Sequence, residues 1–560
     1  MLDNYAIADN FTLLSKLIDI HGENSFKSKS YANAAFVIEK LPEQLSQLPA
    51  NKIFNIKGIG EAIGNKIQEQ LTTGSLQILQ EYIQKTPPGI IKMLQIKGLG
   101  PKKINSIWKN LEIETIGELL YACNENRLTL LKGFGAKTQE SIKENINYYL
   151  NNLGNFLYQQ VETYIQAYHQ KLTKVFPEDS FVLTGAFKRQ LETIDAAEWV
   201  TTTKPDALKN FFVTNQYTIE VDTPDKLVFK GTENIKLIFY LTSKQKLTYH
   251  YFITSCSNEF LVEWEKQFVW KDDKYYENEN KIFEAAGIAV IPVYQRELPE
   301  IIQQYKTTKI ATPIQINDIK GIIHSHSNWS DGQHTIEQIA IAAKEKGYEY
   351  LVISDHSKSA FYANGLQEER VRAQHAAIDV LNQSLAPFKI FKSIESDILN
   401  DGSLDYSDDI LQLFDIVIAS IHSNLKMTEE KAMSRLLKAI ENPYTSILGH
   451  LTGRLLLSRK GYPINHTAII DACAKHQVAI ELNAHPRRLD IDWRYIDAAL
   501  QKNVLISIDP DAHAIEGFDD CRYGVLVAQK AGLTHTQNLS SFSLAQFESF
   551  IAQQHKKRNG

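Results

Sequence analysis

The sequence predicts a multidomain chain: an all-α N-terminal region of helical hairpins, a mixed α/β middle, and a C-terminal parallel (β/α)7 barrel. Three observations carry that prediction. At 560 residues the chain is several times longer than one domain of roughly 100 to 200 residues. The pattern apolar-Lys-Gly-apolar-Gly returns three times in the first 150 residues. After residue 320, seven apolar strand-like runs alternate with helical periodicity. Composition excludes other classes. With 43% hydrophobic and 22% charged residues this is ordinary globular protein, and no run of about 18 uncharged apolar residues offers a membrane span. MLDNYAIADN has neither the basic segment nor the apolar core of a targeting signal, so the expectation is a cytoplasmic protein with no membrane association. Cys123, Cys256, Cys473 and Cys521 form no CxxC pair, so any metal must be held by other ligands.

Residues 1–150 read as short amphipathic helices joined by glycine-containing turns. IKGIG (56–60), IKGLG (96–100) and LKGFG (131–135) each precede a further helix. The glycines Gly58, Gly60, Gly98, Gly100, Gly133 and Gly135 let a phosphate approach the main chain. N–H groups at the following helix start donate to its oxygens, and Lys57, Lys97 and Lys132 add charge without reading any base. The net charge of -6 hides a local excess, because residues 51–110 carry 9 Lys and Arg against 3 Asp and Glu. A single GxG would be an ordinary helix-ending turn; three with lysines at matched places predict sequence-independent binding of a DNA backbone, and with it association with the nucleoid.

From 151 to 306 the pattern changes to strand-like runs, SFVLTGA, YTIEVD, KLVFK and NIKLIFYL, separated by polar turns and helices. Residues 307–320 lack periodicity and read as a linker. Beyond it, strands are expected near 321–323, 350–354, 388–394, 415–421, 445–449, 478–482 and 504–508, which favours a parallel barrel over an open sheet.

Of 16 histidines, 13 follow residue 320. Those that matter follow strands: His324, His326 and Asp331 the first, Asp355 and His356 the second, Glu395 the third, His422 the fourth, His450 the fifth, and Asp509, Asp511 and His513 the last. Strand C-termini of a parallel barrel open on one face, so these residues converge. Six histidines with several carboxylates suit Zn, Mn or Fe better than Mg or Ca, and exceed the needs of one ion. A multinuclear site beside a phosphate suits phosphoester hydrolysis, with Glu395 placed to bridge two ions. His334, His375, His466, His476, His535 and His555 read as satisfied core histidines.

HxH at 324–326, SDG at 330–332, SDHS at 354–357 and DAH at 511–513 resemble the polymerase and histidinol phosphatase (PHP) domain. DHSKSAFYANGL, GHLTGRLLLSRKGYPI, ELNAHPRRLDIDWR and CRYGVLVAQKAGL resemble the PHP half of bacterial family X DNA polymerases, and the hairpin repeats and IFEAAGIAVIPVYQREL resemble the same family in the same order. The resemblance implies an N-terminal helical, 8-kDa-like domain with the first helix-hairpin-helix over 1–85 and a fingers-like helix-hairpin-helix domain over 86–150. An α/β nucleotidyltransferase-like palm and thumb would cover 151–306, and after the linker a distorted (β/α)7 PHP barrel would cover 321–560. It implies that His324, His326, Asp331, His356, Glu395, His422, His450, Asp511 and His513 hold three divalent ions, Mn or Zn with Fe as a further option. Asp355 and Asp509 would support them. The implied activities are 3'-5' exonuclease and abasic-site endonuclease on gapped, nicked or 3'-recessed duplex DNA, with Glu395, Arg454 and Arg488 as catalytic or phosphate-holding groups and other repair proteins as further partners.

The palm departs from the family pattern. In LTGAFKRQLETIDAAEWV, Gly185 and Arg189 remain, but Ala186 replaces Ser, Ala196 the first Asp and Glu198 the second; in NIKLIF, Lys236 replaces the third. Two-metal phosphoryl transfer needs anionic oxygens around both cations, and a lysine there repels one. Asp195 cannot substitute, because a shift of one residue in a strand turns the side chain to the other face. Loss of polymerase activity is therefore expected. Lys66 stands where polymerase beta relatives carry a Schiff-base lysine; a phosphate contact or solvation is the expected role, since the sequence shows nothing to deprotonate it. The competing readings are a working polymerase with unusual ligands, a DNA-binding scaffold with structural metals, and a small-molecule phosphatase.

Overall fold

The computed structural model describes residues 2–124, 127–151, 154–231, 234–268, 275–307, 311–457 and 460–559. The chain divides into two compact units, Met1–Leu153 and Gly154–Gly560.

The first unit is helical throughout its described residues, around a core that includes Phe11, Leu14, Ile67, Met93, Ile104 and Ile107. The three repeats adopt one geometry. Ile59, Leu99 and Phe134 donate backbone N–H to the carbonyls of Ile56, Ile96 and Leu131 at 2.9, 3.1 and 3.0 Å. Gly58, Gly98 and Gly133 sit at φ 95°, 85° and 88°, where a Cβ is strained. Gly60, Gly100 and Gly135 then precede helices Glu61–Thr73, Pro101–Leu111 and Ala136–Asn151. A Cβ placed on Gly60, Gly98, Gly100, Gly133 or Gly135 would meet nothing within 4 Å, so these glycines leave the backbone open.

The second unit begins with β1 (Phe156–Leu157), β2 (Phe181–Thr184), β3 (Thr193–Ile194), β4 (Ala196–Thr201), β5 (Thr218–Asp222), β6 (Lys226–Lys230) and β7 (Lys236–Leu241). β1 and β3 pair with each other, and the remaining five form a sheet in the order β2-β4-β7-β6-β5, with β4 and β7 parallel. Phe212, Phe229 and Phe239 pack on one another against it. A helical layer follows, built on Phe252, Trp264 and Phe283, in which the buried Arg296 donates to Glu279 and to the Ile291 carbonyl. In the stretch read as a linker, Ile314 is buried, donating to Leu533 O at 2.8 Å and accepting from Gln529 Nε2 at 2.9 Å.

The barrel strands are β8 (Gly321–Ser325), β9 (Tyr350–Ile353), β10 (Lys389–Asp397), β11 (Ile416–Ser420), β12 (Ile447–Leu448), β13 (Ala479–Asn483) and β14 (Ile506–Asp509). They lie in chain order and are parallel throughout. Helices such as Ile336–Glu345, Glu368–Leu385, Glu429–Glu441 and His466–His476 connect them. Six of the seven strands are wholly buried and β10 nearly so, which is why they read as continuous apolar runs. Ala512, just past β14, completes the ring: it donates to His324 O at 3.2 Å and accepts from His326 N at 2.8 Å. The result is a nearly closed (β/α)7 barrel, the expected fold. Among the described residues no helix is long and apolar enough to cross a membrane.

Candidate metal centre

The C-terminal rim of the barrel brings the nine expected ligands together. Glu395, near the end of β10 and 1% exposed, is the centre. Its Oε1 lies 3.3 Å from His324 Nε2, 3.0 Å from His422 Nε2 and 3.0 Å from His450 Nε2; its Oε2 lies 3.0 Å from His356 Nδ1. Asp511 Oδ1 stands 3.1 Å from His326 Nε2 and 3.5 Å from His324 Nε2. Nearer the mouth, Asp331 Oδ2 is 3.4 Å from His513 Nε2 and 3.6 Å from His356 Nε2. The side chains of Asp331 and His513 are 35% and 39% exposed against 0% for His324, so the site has a buried floor and an open lip.

Three overlapping sets of donors, each compact enough for one ion, can be drawn: His326, Asp331, His356 and His513; His324, His326 and Asp511; and His356, Glu395 and His422. Two buried ring nitrogens, His324 Nε2 and His326 Nδ1, and the buried Glu395 Oε2 make no hydrogen bond among the described residues. Buried polar atoms are ordinarily satisfied, so nitrogen and oxygen atoms that converge without hydrogen bonds fit a divalent cation. The mixture of imidazole and carboxylate suits Zn, Mn or Fe. The buried carboxylates and imidazoles shift one another's charge. Burial resists ionisation of Glu395, but His422, His324 and His356 hold its carboxyl well below the ordinary range. Burial opposes charge on His422, yet Glu395 and Asp397 raise it to about 10. Burial, with His513 and His356 alongside, pushes His326 down to about 3.

Surrounding groups aim these ligands. Glu481, fully buried on β13, accepts from His324 Nδ1 at 2.6 Å and from the His450 backbone N–H at 3.0 Å. Asp397, two residues beyond Glu395 on the same strand face, contacts His422 Nδ1 at 2.9 Å. Asp355 is no ligand: it accepts from Ser327 N, Ser327 Oγ and Gln374 Nε2, holding the loop that carries Asp331. Asp509 accepts from Ser507 Oγ. Asn483 Nδ2 donates to both Glu481 and Asp511. His324 and Asp511 have φ of 59° and 52°, a strained conformation for non-glycine residues that concentrates at functional sites. Gly332 of SDG is required by space, since a Cβ there would lie 2.3 Å from His326 O.

The sequence did not single out Glu481, Asp397 or His485, which is largely buried close to Asp511. A signal for Glu481 was present, an acid inside the apolar run VAIEL.

The two arginines part company. Arg488 Nε lies 3.6 Å from Asp511 Oδ2 and its side chain is 21% exposed, at the edge of the centre. The Arg454 guanidinium is engaged elsewhere, donating to Asp492 Oδ2 at 2.7 Å, to Arg488 O at 2.9 Å and to Leu489 O. In this arrangement the Arg454 donors are directed to the chain.

In the palm, β4 and β7 pair Ala196 with Lys236, so the expected first and third carboxylate positions are adjacent and carry a methyl and an ammonium. Lys236 is exposed, 3.7 Å from Glu220. Glu198 accepts from Tyr240 Oη at 2.8 Å and from Ala186 N at 3.2 Å; burial raises its pKa. Gly185 permits that approach, since a Cβ there would overlap the Glu198 carboxylate. Arg189 is paired with Glu297 at 2.7 Å, and Asp195 is exposed. In the first unit Lys57, Lys97 and Lys132 are exposed on the hairpins, and Lys66 is half-buried on helix Glu61–Thr73.

Comparison with known proteins finds helix-hairpin-helix sequences in the first unit. The family model described as "Helix-hairpin-helix domain" matches residues 2–76, and "SAM-like Helix-hairpin-helix tandem" matches 90–147. The chain is 31% identical to the "DNA polymerase/3'-5' exonuclease PolX" of Bacillus subtilis (strain 168), over 95% of this chain and 96% of that protein. A "Probable phosphatase" of Thermoanaerobacter sp. (strain X514) is 25% identical over 43% of this chain and 99% of its own length. The "Probable phosphatase YcdX" of Escherichia coli O81 (strain ED1a) is 27% identical over 36% of this chain and 82% of its own.

Proposed function

The chain belongs to the family of the DNA polymerase/3'-5' exonuclease PolX, and on that premise we propose that it is a DNA-processing phosphodiesterase whose barrel removes nucleotides from 3' ends and whose palm no longer polymerises. The observation that carries this reading is the rim of nine donors centred on Glu395, set against a palm that keeps one carboxylate, Glu198, at the three expected metal positions, itself hydrogen-bonded to Tyr240 and Ala186. His324, His326, Asp331, His356, Glu395, His422, His450, Asp511 and His513 would hold the ions, three being the number that the overlapping donor sets support and Mn, Zn or Fe the identities that the donor chemistry supports.

Bound divalent ions supply Lewis acidity, which makes water a nucleophile near neutral pH and offsets charge on a phosphate. The chain's own groups do the rest. Hydrolysis forms a bond from water oxygen to phosphorus and breaks the bond to the 3'-oxygen, releasing a 5'-mononucleotide and leaving a 3'-hydroxyl. Arg488 presents its guanidinium beside Asp511 to a non-bridging phosphate oxygen, a charge-assisted contact. Glu481 and Asp397 fix the ring orientation of His324 and His422. The hairpins of the first unit grip backbone phosphates through Lys57, Lys97, Lys132 and open glycines, so substrate choice follows duplex ends rather than base sequence. Gapped, nicked or 3'-recessed DNA is the proposed substrate class, other repair proteins are proposed partners, and the nucleoid is the proposed location.

The test is a 3'-recessed duplex with a 5'-labelled strand, incubated with manganese and either wild type or His326→Ala. Progressive shortening by wild type alone is expected. Equal products from both, or none from wild type, would remove the barrel from the chemistry.

A further inference from the structure

We propose that Glu192, a palm residue, is a positioning residue for the metal centre: through Arg454 it holds the segment 488–492 so that Arg488 faces the phosphate of the bound DNA end. This rests on the hydrolytic reading given above. Glu192 lies just before β3 and its side chain is 8% exposed. Its Oε1 is 3.7 Å from Arg454 Nη2 and 3.7 Å from Arg494 Nη1. Arg454 follows the ligand His450 by four residues, and its donors bind the carbonyls of Arg488 and Leu489 and the Asp492 carboxylate. Arg494 binds that same Asp492 at 2.9 Å. Two guanidinium groups therefore share two carboxylates, one from the palm and one from the barrel.

That sharing ties palm to barrel. Without Glu192, Arg454 and Arg494 compete for Asp492 alone, and the Arg454 fork is drawn off the carbonyls of residues 488 and 489. The Arg488 side chain, 3.6 Å from Asp511, then loses its fixed base. Neighbouring contacts reinforce the seam. The buried Lys530 of the barrel donates to the palm's Arg189 O at 2.7 Å and lies 4.7 Å from the Trp493 ring centroid, while Arg522 pairs with Glu162. A palm so built has a use in hydrolysis even without polymerase ligands.

The test is a double-mutant cycle in the full-length, manganese-loaded chain, read as the dissociation constant of thymidine 5'-monophosphate. Glu192→Gln is expected to weaken binding about tenfold in the wild-type background and less than about twofold in Arg488→Ala. Bound manganese should be unchanged and Glu192→Asp should restore most of the affinity. If Glu192→Gln fails to fold, Glu192→Ala carries the cycle. Additive effects, loss of manganese, unaltered affinity, or no nucleotide binding by wild type would each overturn the proposal. Cleavage of the recessed duplex is followed in parallel. Coupled binding without cleavage would sink the hydrolytic reading and leave this one standing, and cleavage with additive effects would do the reverse.

Discussion

At the scale of single residues, the groups that orient ligands matter nearly as much as the ligands. Glu481 touches His324 and the backbone of His450, so it fixes one imidazole and the loop of another. Replacing it with alanine is expected to weaken metal affinity about 10- to 100-fold with the fold retained, checked by manganese titration followed by electron paramagnetic resonance. His375 offers a prediction away from the centre. Burial lowers it to about 4 against an ordinary value of 6.5. Between those values the unfolded chain binds the proton and the folded chain does not, so stability falls as pH drops from 6.5 towards 4 and is unaffected by this group above that window. The loss is on the order of 3 kcal/mol. His375→Phe should flatten the urea midpoint of the second unit across that range, and an unchanged slope would show that another group governs it. The convergence of these side chains was legible in the sequence because barrel topology alone brings strand ends together. The orientation of Arg454 was not, because its partners lie more than 30 residues onward in the chain, at Arg488, Leu489 and Asp492.

At the scale of elements, the hairpins and the palm strands repay comparison. The repeat was legible because glycine at positive φ has few substitutes, and all three copies close with the same backbone hydrogen bond. Lys57→Ala, Lys97→Ala and Lys132→Ala together should weaken binding of unrelated duplex sequences alike and reduce the slope of log affinity against log salt by about three, one for each lost phosphate contact. Sequence-dependent losses, or an unaltered slope, would argue against backbone anchorage. The palm substitutions were legible in content, and strand pairing sets Ala196 opposite Lys236. Hydrogen bonds from Tyr240 and Ala186 to Glu198 were not, because they require β7 and the turn at Gly185 to meet. Primer extension with magnesium and four nucleotides should therefore be absent in wild type and unchanged in Glu198→Gln. Lengthening abolished by that substitution would restore the palm as a polymerase.

At the scale of the whole molecule, the second unit joins palm and barrel in one compact body. Residues 311–320 show why this was hidden: a run without periodicity suggests a tether, yet Ile314 is buried against Leu533 through contacts that no local pattern encodes. The proposed function requires cations at the barrel rim and none in the palm. Crystals of the full chain grown with manganese, with diffraction recorded near the manganese absorption edge, test it most directly. Strong anomalous peaks are expected among His324, His326, His356, Glu395, Asp511 and His513, and none beside Glu198. Peaks beside Glu198 with a bare rim would contradict it.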